Sequence, residues 1–138
     1  MSRVLAVDYG KKRIGLAHTD LEKIIASPLD TVLTKEIFNY LNIYFEQEDV
    51  DTVVVGYPKT LQNQPAQIFT QIQKFIQKIK VMYNKPIYLV DERFTSKIAK
   101  KSLLTSNMKK SKRQDKSVVD KISATLILQS FLDREKNL

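Results

Sequence analysis

Apolar and polar residues alternate along the chain in a pattern that predicts a mixed α/β fold. The predicted strands cover Arg3 to Asp8, Arg13 to His18, Ile24 to Leu33, Val50 to Gly56 and Pro86 to Val90. Apolar residues at helical spacing predict helices over Lys35 to Glu48, Ile68 to Met82, Lys97 to Leu104 and Val118 to Arg134. No repeat or second domain boundary interrupts this order, so we expect one domain over residues 1–138.

Single residues add local expectations to this pattern. Gly10 lies between the first two strands, where a tight turn often needs a positive φ, and Thr34 is predicted to cap the first helix. Pro28 predicts that the third strand lies at an edge of the sheet, because proline cannot donate a ladder hydrogen bond. The apolar run Val53 to Val55 indicates a strand covered on both faces. Gly15 weakens its strand, which suggests that another part of the molecule approaches its backbone closely.

Composition limits the chemistry that this domain can perform. The chain has 138 residues, no cysteine and one histidine, His18. This excludes disulfides, thiolate zinc sites, cysteine nucleophiles and paired imidazoles, and we expect His18 to be an ordinary strand residue. The chain shows neither a membrane-spanning apolar stretch nor a signal-peptide pattern, which predicts a soluble cytoplasmic protein without a membrane partner. Carboxylates, hydroxyls, lysines and arginines remain for chemistry.

The charge balance favours a polyanionic partner. Lys and Arg number 23 against 15 Asp and Glu, which gives a formal charge of +8. Basic residues are dense between the last two predicted helices, at Lys109, Lys110, Lys112 and Arg113. This basic loop is either a phosphate grip or a solubilising linker.

Acidic residues stand at three separate points of the predicted fold. Asp8 ends the first strand, Asp91 and Glu92 end the last strand, and Asp120 begins an apolar stripe on the final helix. Asp8 could instead belong to its turn, and Asp120 could complete a capping box with Ser117. In an open sheet with parallel strands, however, these acids would meet at one edge, where α/β folds place their sites.

Such a group of carboxylates predicts a metal site. With no cysteine and no second histidine, oxygen ligands favour Mg²⁺ or Mn²⁺ over zinc. Two such ions about 3.5 to 4 Å apart can activate water and stabilise the leaving oxygen in phosphodiester hydrolysis.

Four segments of the chain together resemble the signature motifs of the YqgF family, also called RuvX. They are Asp8 to Ala17, Val54 to Pro58, Asp91 to Thr95 and Asp120 to Leu128. The family consists of RNase H-like proteins, associated with Holliday junction resolution and with maturation of the 5′ end of 16S rRNA. The resemblance implies an RNase H-like α/β fold, a five-stranded mixed sheet flanked by helices in the order β-β-β-α-β-α-β-α-α. It also implies that Asp8, Asp91, Glu92 and Asp120 form the catalytic, metal-binding site.

Other residues near these motifs are candidates for binding nucleic acid. Arg13 and Arg93 could orient a carboxylate or grip a phosphate, and Lys11 and Lys12 are further cations beside Asp8. Tyr57 could stack on an unpaired base, although a tyrosine packed on the surface at a turn is the simpler interpretation.

Three functions are compatible with these features. The favoured one is a metal-dependent endonuclease for structured RNA such as pre-16S rRNA, with ribosomal particles as a further partner. The second is the same reaction on branched DNA, and the third is a nucleic-acid-binding module without turnover. A sugar-kinase fold also begins with Asp-x-Gly, but it needs two such domains to enclose ATP. The chain could act as a monomer or a homodimer.

Overall fold

The computed structural model of the protein describes residues 1–57, 66–91 and 116–136, with only the backbone described at residues 66, 91, 116, 117 and 136. The strands are β1 Arg3–Tyr9, β2 Arg13–Thr19, β3 Ala26–Leu33, β4 Val50–Tyr57 and β5 Ile87–Asp91. The helices are a 3₁₀ turn Thr34–Glu36, α1 Ile37–Gln47, α2 Ala66–Tyr83 and α3 Lys116–Lys136. Each of these strands and α-helices was predicted to within a few residues. The predicted helix from Lys97 to Leu104 lies outside the described residues.

The five strands form one mixed sheet in the order β3-β2-β1-β4-β5. β1, β2 and β3 are antiparallel neighbours, whereas β1, β4 and β5 run parallel. The carboxyl ends of β1, β4 and β5 therefore share one edge of the sheet, as the sequence predicted. β3 is an edge strand, which confirms the expectation from Pro28.

Helices cover the two faces of the sheet with different side chains. On the α1/α2 face, Val7, Val53 and Val55 pack with residues of α1 and α2 in one buried cluster. On the α3 face, Ala6 and Val54 pack with residues of α3 in a second cluster. β4 is therefore covered on both sides, as its apolar run predicted. None of the helices in the described part of the chain is long and apolar enough to span a membrane.

Two local expectations were wrong. Gly10 does not have a positive φ; it is glycine because a Cβ there would overlap the carbonyl oxygen of Arg13. Thr34 does not cap α1, because a 3₁₀ turn comes first and neither element has a side-chain cap. Instead, the Thr34 hydroxyl donates to the carbonyl of Gly10 at 2.7 Å, and its N–H donates to the carbonyl of Lys12 at 2.9 Å. These two hydrogen bonds from Thr34 stabilise the β1–β2 turn.

His18 contributes to packing on the α1/α2 face, as expected of a strand residue. Its Nδ1 lies 2.9 Å from the hydroxyl oxygen of Tyr44 on α1. Burial lowers the pKa of His18 and the nearby Arg3 lowers it further, while Glu48 acts in the opposite direction. The folded protein therefore favours neutral His18.

This neutral histidine predicts a loss of stability in mild acid. The unfolded chain, with a His pKa near 6.5, takes up the proton before the folded protein does, so the free energy of unfolding should fall as pH drops through about 6.5. Urea unfolding at closely spaced pH values measures this slope. His18→Gln, which removes the only histidine, should flatten it; an unchanged slope in the variant would contradict the assignment.

Candidate functional site

Asp8 lies on β1 at the sheet edge where the parallel strands end. Asp8 is every second residue along β1 from Val4 and Ala6, which belong to the α3 cluster, so its side chain is on the same α3 face. The residue is partly buried. Across the antiparallel ladder Asp8 pairs with Gly15 of β2.

Gly15 allows α3 to lie directly against this pair. A Cβ built on Gly15 would overlap the carbonyl oxygen of Asp120 and would lie 3.2 Å from the Asp120 Cα. The close approach predicted from a glycine inside a strand is therefore confirmed, and the approaching group is the backbone of α3. Because Gly15 is the partner of Asp8, this contact brings two acidic residues that are distant in sequence to one place.

Asp120 is held there by Arg13, at the start of β2. The guanidinium Nε donates to the Asp120 Oδ2 at 2.9 Å, with side chains 34% and 25% exposed. At this exposure the pair adds little to stability, so its main effect is to orient the carboxylate. This supports the orienting role for Arg13. The capping-box alternative loses support, since α3 already includes Ser117 and Asp120 bonds to Arg13.

The structure describes the remaining predicted acids only in part. The backbone of Asp91 pairs with Tyr57 at the end of the β4–β5 ladder. The Asp91 side chain and all of Glu92 are outside what the structure describes. Within the described residues, no group of three or more Asp, Glu, His or Cys could hold a metal ion. The four-acid metal site is therefore still a prediction, of which Asp8 and Asp120 are the described half.

The structure describes some of the predicted nucleic-acid-binding residues and not others. Lys11 and Lys12 are exposed in the β1–β2 turn beside Arg13. Tyr57 packs edge-on against Phe69 of α2 with centroids 5.5 Å apart, and it joins the α1/α2 cluster rather than the face of Asp8. This favours packing over base stacking for Tyr57. Arg93, Lys109, Lys110, Lys112 and Arg113 lie outside the described residues.

Sequence reasoning named Thr34 only as a helix cap and missed its contact with the turn beside the site. Thr34 ties down the turn that carries Lys11, Lys12 and Arg13, through the hydrogen bonds to Gly10 and Lys12 described above. A threonine before a helix usually caps that helix, so the local sequence predicted a hydrogen bond to the backbone of α1 and not one to the β1–β2 turn. The tie joins positions 24 residues apart in the chain.

The fold defines a class of protein. Over 96–98% of this chain, the structure superposes on Thermus thermophilus RuvC in complex with a Holliday junction substrate and on the Fowlpox virus resolvase with its substrate junction DNA. The TM-scores are 0.57 and 0.58, over 96% and 98% of those chains, at 12% sequence identity in both cases. The chain thus has the RNase H-like fold of the RuvC-type resolvases.

The chain belongs to the RuvX family, whose model, described as Holliday junction resolvase, matches residues 2–134. It is 49% identical to the "Putative pre-16S rRNA nuclease" of Christiangramia forsetii, over 96% of this chain and 98% of that protein. A protein of the same name from Phocaeicola vulgatus is 45% identical over 99% of both chains. These matches confirm the family inferred from the sequence motifs.

The close contact at Gly15 predicts that even one methyl group there is harmful. Gly15→Ala should force α3 away from β2, which should cost about 1–3 kcal/mol of unfolding free energy. It should also move Asp120 away from Asp8. Urea unfolding measures the first effect. A variant as stable as the original protein would contradict the close approach of α3.

Proposed function

We propose that this protein is a divalent-metal-dependent endonuclease that hydrolyses phosphodiester bonds during maturation of the 5′ end of pre-16S rRNA. The observation that carries the proposal is the seating of Asp120 on Gly15, directly opposite Asp8. The names of the full-length relatives support the substrate. We further propose that residues 1–138 act as one cytoplasmic domain.

The side chains at this edge suit a hard cation. Asp8 and Asp120 offer oxygen ligands, and cysteine is absent from the sequence. Asp91, the last residue of β5, and Glu92, the next residue in the sequence, add a further carboxylate ligand to this proposal. Mg²⁺ or Mn²⁺ held there, as one or two ions, would supply a water nucleophile at neutral pH and would stabilise charge on the phosphodiester.

The protein's own residues then have separate roles. Asp8 and Asp120, with Asp91 or Glu92, hold the metal, and Arg13 keeps the Asp120 carboxylate oriented by its hydrogen bond. Lys11 and Lys12, exposed on the adjacent turn, neutralise phosphates of the substrate. We assign a similar phosphate-binding role to Arg93 and to the basic loop of Lys109, Lys110, Lys112 and Arg113.

A second candidate substrate is branched DNA, because the family model carries the description Holliday junction resolvase. Both substrates contain the same phosphodiester, so the described acids do not discriminate between them. Cleavage of pre-16S rRNA and of a four-way DNA junction, compared at equal concentrations, separates the two. Preferred cleavage of the junction, together with a dimeric mass in solution, would replace the proposed substrate. Binding without cleavage of either would leave only a binding module.

Removing one metal-ligand charge should separate chemistry from binding. Asp8→Asn keeps the shape of the side chain, so we expect cleavage of pre-16S rRNA to fall by at least about 1,000-fold while RNA affinity stays within a few-fold. EDTA should abolish cleavage by the original protein. Added Mg²⁺ or Mn²⁺ should restore cleavage, whereas Ca²⁺ should not. Full activity of Asp8→Asn, or cleavage in EDTA, would overturn the site.

Neighbouring cations at the turn should give different kinetic effects. Arg13→Gln should lower kcat by about 10- to 100-fold with little change in RNA affinity, because it removes only the orienting bond to Asp120. Lys12→Gln, the matched control with the same charge change, should weaken binding and flatten the salt dependence while kcat changes little. If Arg13→Gln instead weakens binding as Lys12→Gln does, Arg13 is a phosphate grip.

A further inference from the structure

A cavity of about 210 Å³ opens on the α1/α2 face, on the other side of the sheet from Asp8. Its lining includes the aromatic residues Tyr9, Phe38 and Phe75 and the cations Lys74 and Lys78. None of the described residues that line it is acidic. Phe38, Lys74, Phe75 and Lys78 lie outside the four motif segments, and Tyr9, although inside the first segment, has no assigned role at the metal site.

The aromatic rings form a supported apolar platform. Phe75 of α2 is 4% exposed and contacts both other rings, with centroid distances of 5.0 Å to Tyr9 and 5.7 Å to Phe38. Tyr9 and Phe38 are only partly buried. Both rings rest on the buried ring of Phe75 and line the cavity.

The cations lie along one side of this platform. Lys74 and Lys78 are exposed one helical turn apart on α2, and the Lys78 Nζ lies 4.3 Å from the centroid of the Phe38 ring. The sequence of α2, Ala66–Tyr83, contains no acidic residue, so nothing within the helix neutralises these lysines. The described lining of the cavity therefore carries two cations and no acidic side chain, which suits an anionic ligand.

The cavity is also close to the acidic edge. Tyr9 follows Asp8 directly on β1, and Thr34, another lining residue, is hydrogen-bonded to Gly10. The β1–β2 turn, with exposed Lys11 and Lys12, therefore separates the two places. A phosphate backbone that crosses this turn would meet cations on the way from one face to the other.

We propose that this cavity is a subsite for one unpaired base of the nucleic-acid substrate, with Lys74 and Lys78 contacting the adjoining phosphates. Stacking on aromatic side chains beside lysines is the usual way to hold single-stranded nucleic acid. The volume is below the 300 Å³ or so of a drug-sized pocket, which limits the occupant to about one ring system. The subsite rests on the proposed function, because it extends the same substrate beyond the acidic edge.

Equilibrium binding of a single-stranded oligouridylate tests the subsite without relying on cleavage. Its affinity is compared with that of an abasic polymer of equal length and charge, by fluorescence anisotropy over a range of salt concentrations. Lys74→Gln and Lys78→Gln should each flatten the slope of log affinity against log salt by up to about 0.7. Lys80→Gln, the matched control on the same helix but outside the cavity lining, should leave the slope unchanged.

Base stacking is tested with Phe38→Leu, which keeps apolar bulk but removes the ring. The original protein should prefer oligouridylate over the abasic polymer, and Phe38→Leu should lose about five-fold or more of that preference. Urea unfolding checks that the variant is folded, and Tyr9→Leu provides a second ring deletion if it is not.

The outcomes separate the subsite from the proposed function. If the original protein binds oligouridylate but the Lys74, Lys78 and ring variants all behave like Lys80→Gln, the subsite is wrong and the nuclease proposal stands. If the original protein binds neither oligouridylate nor pre-16S rRNA, the proposed function fails and the subsite fails with it.

Discussion

The contact between the backbone of α3 at Asp120 and the backbone of β2 at Gly15 is the constraint on which the candidate site depends. A Cβ at Gly15 would overlap the Asp120 carbonyl, so only glycine lets the helix come this near. Small residues continue the approach, since Ala17 and Ala124 are fully buried in the same α3 cluster. The strand gives up packing and backbone entropy at Gly15, and in return the backbone of α3 at Asp120 lies against the strand partner of Asp8.

The two faces of the sheet have different roles. The α1/α2 face carries the larger buried cluster, including Leu41, Ile72 and Ile79, and it fixes β1 and β4 in place. The α3 face carries the acids at its open edge. The guanidinium of Arg13 holds the Asp120 carboxylate by an ion pair at 2.9 Å.

The sequence predicted the fold well because its strands and helices have clear periodicity. Gly15 indicated that some segment approaches its strand closely, although the sequence did not identify α3 as that segment. The Arg13–Asp120 pair was harder, because 107 residues separate its members and no local pattern links them. Gly10 and Thr34 were misjudged for a related reason. A turn glycine and a threonine before a helix have common local roles, whereas here each is determined by a contact with another segment. Local propensity describes elements; tertiary contacts decide what single residues do.

Metal affinity tests the central claim, that Asp8 and Asp120 share one cation, more directly than cleavage does. Calorimetric titration of Mn²⁺ into the protein without nucleic acid should show binding that Asp8→Asn and Asp120→Asn each weaken by at least about ten-fold. The double variant should lose little more than either single variant, because one site is removed in each case. Undiminished Mn²⁺ binding by both single variants would contradict a shared site. The contact between Gly15 and Asp120 would then have no role in metal binding.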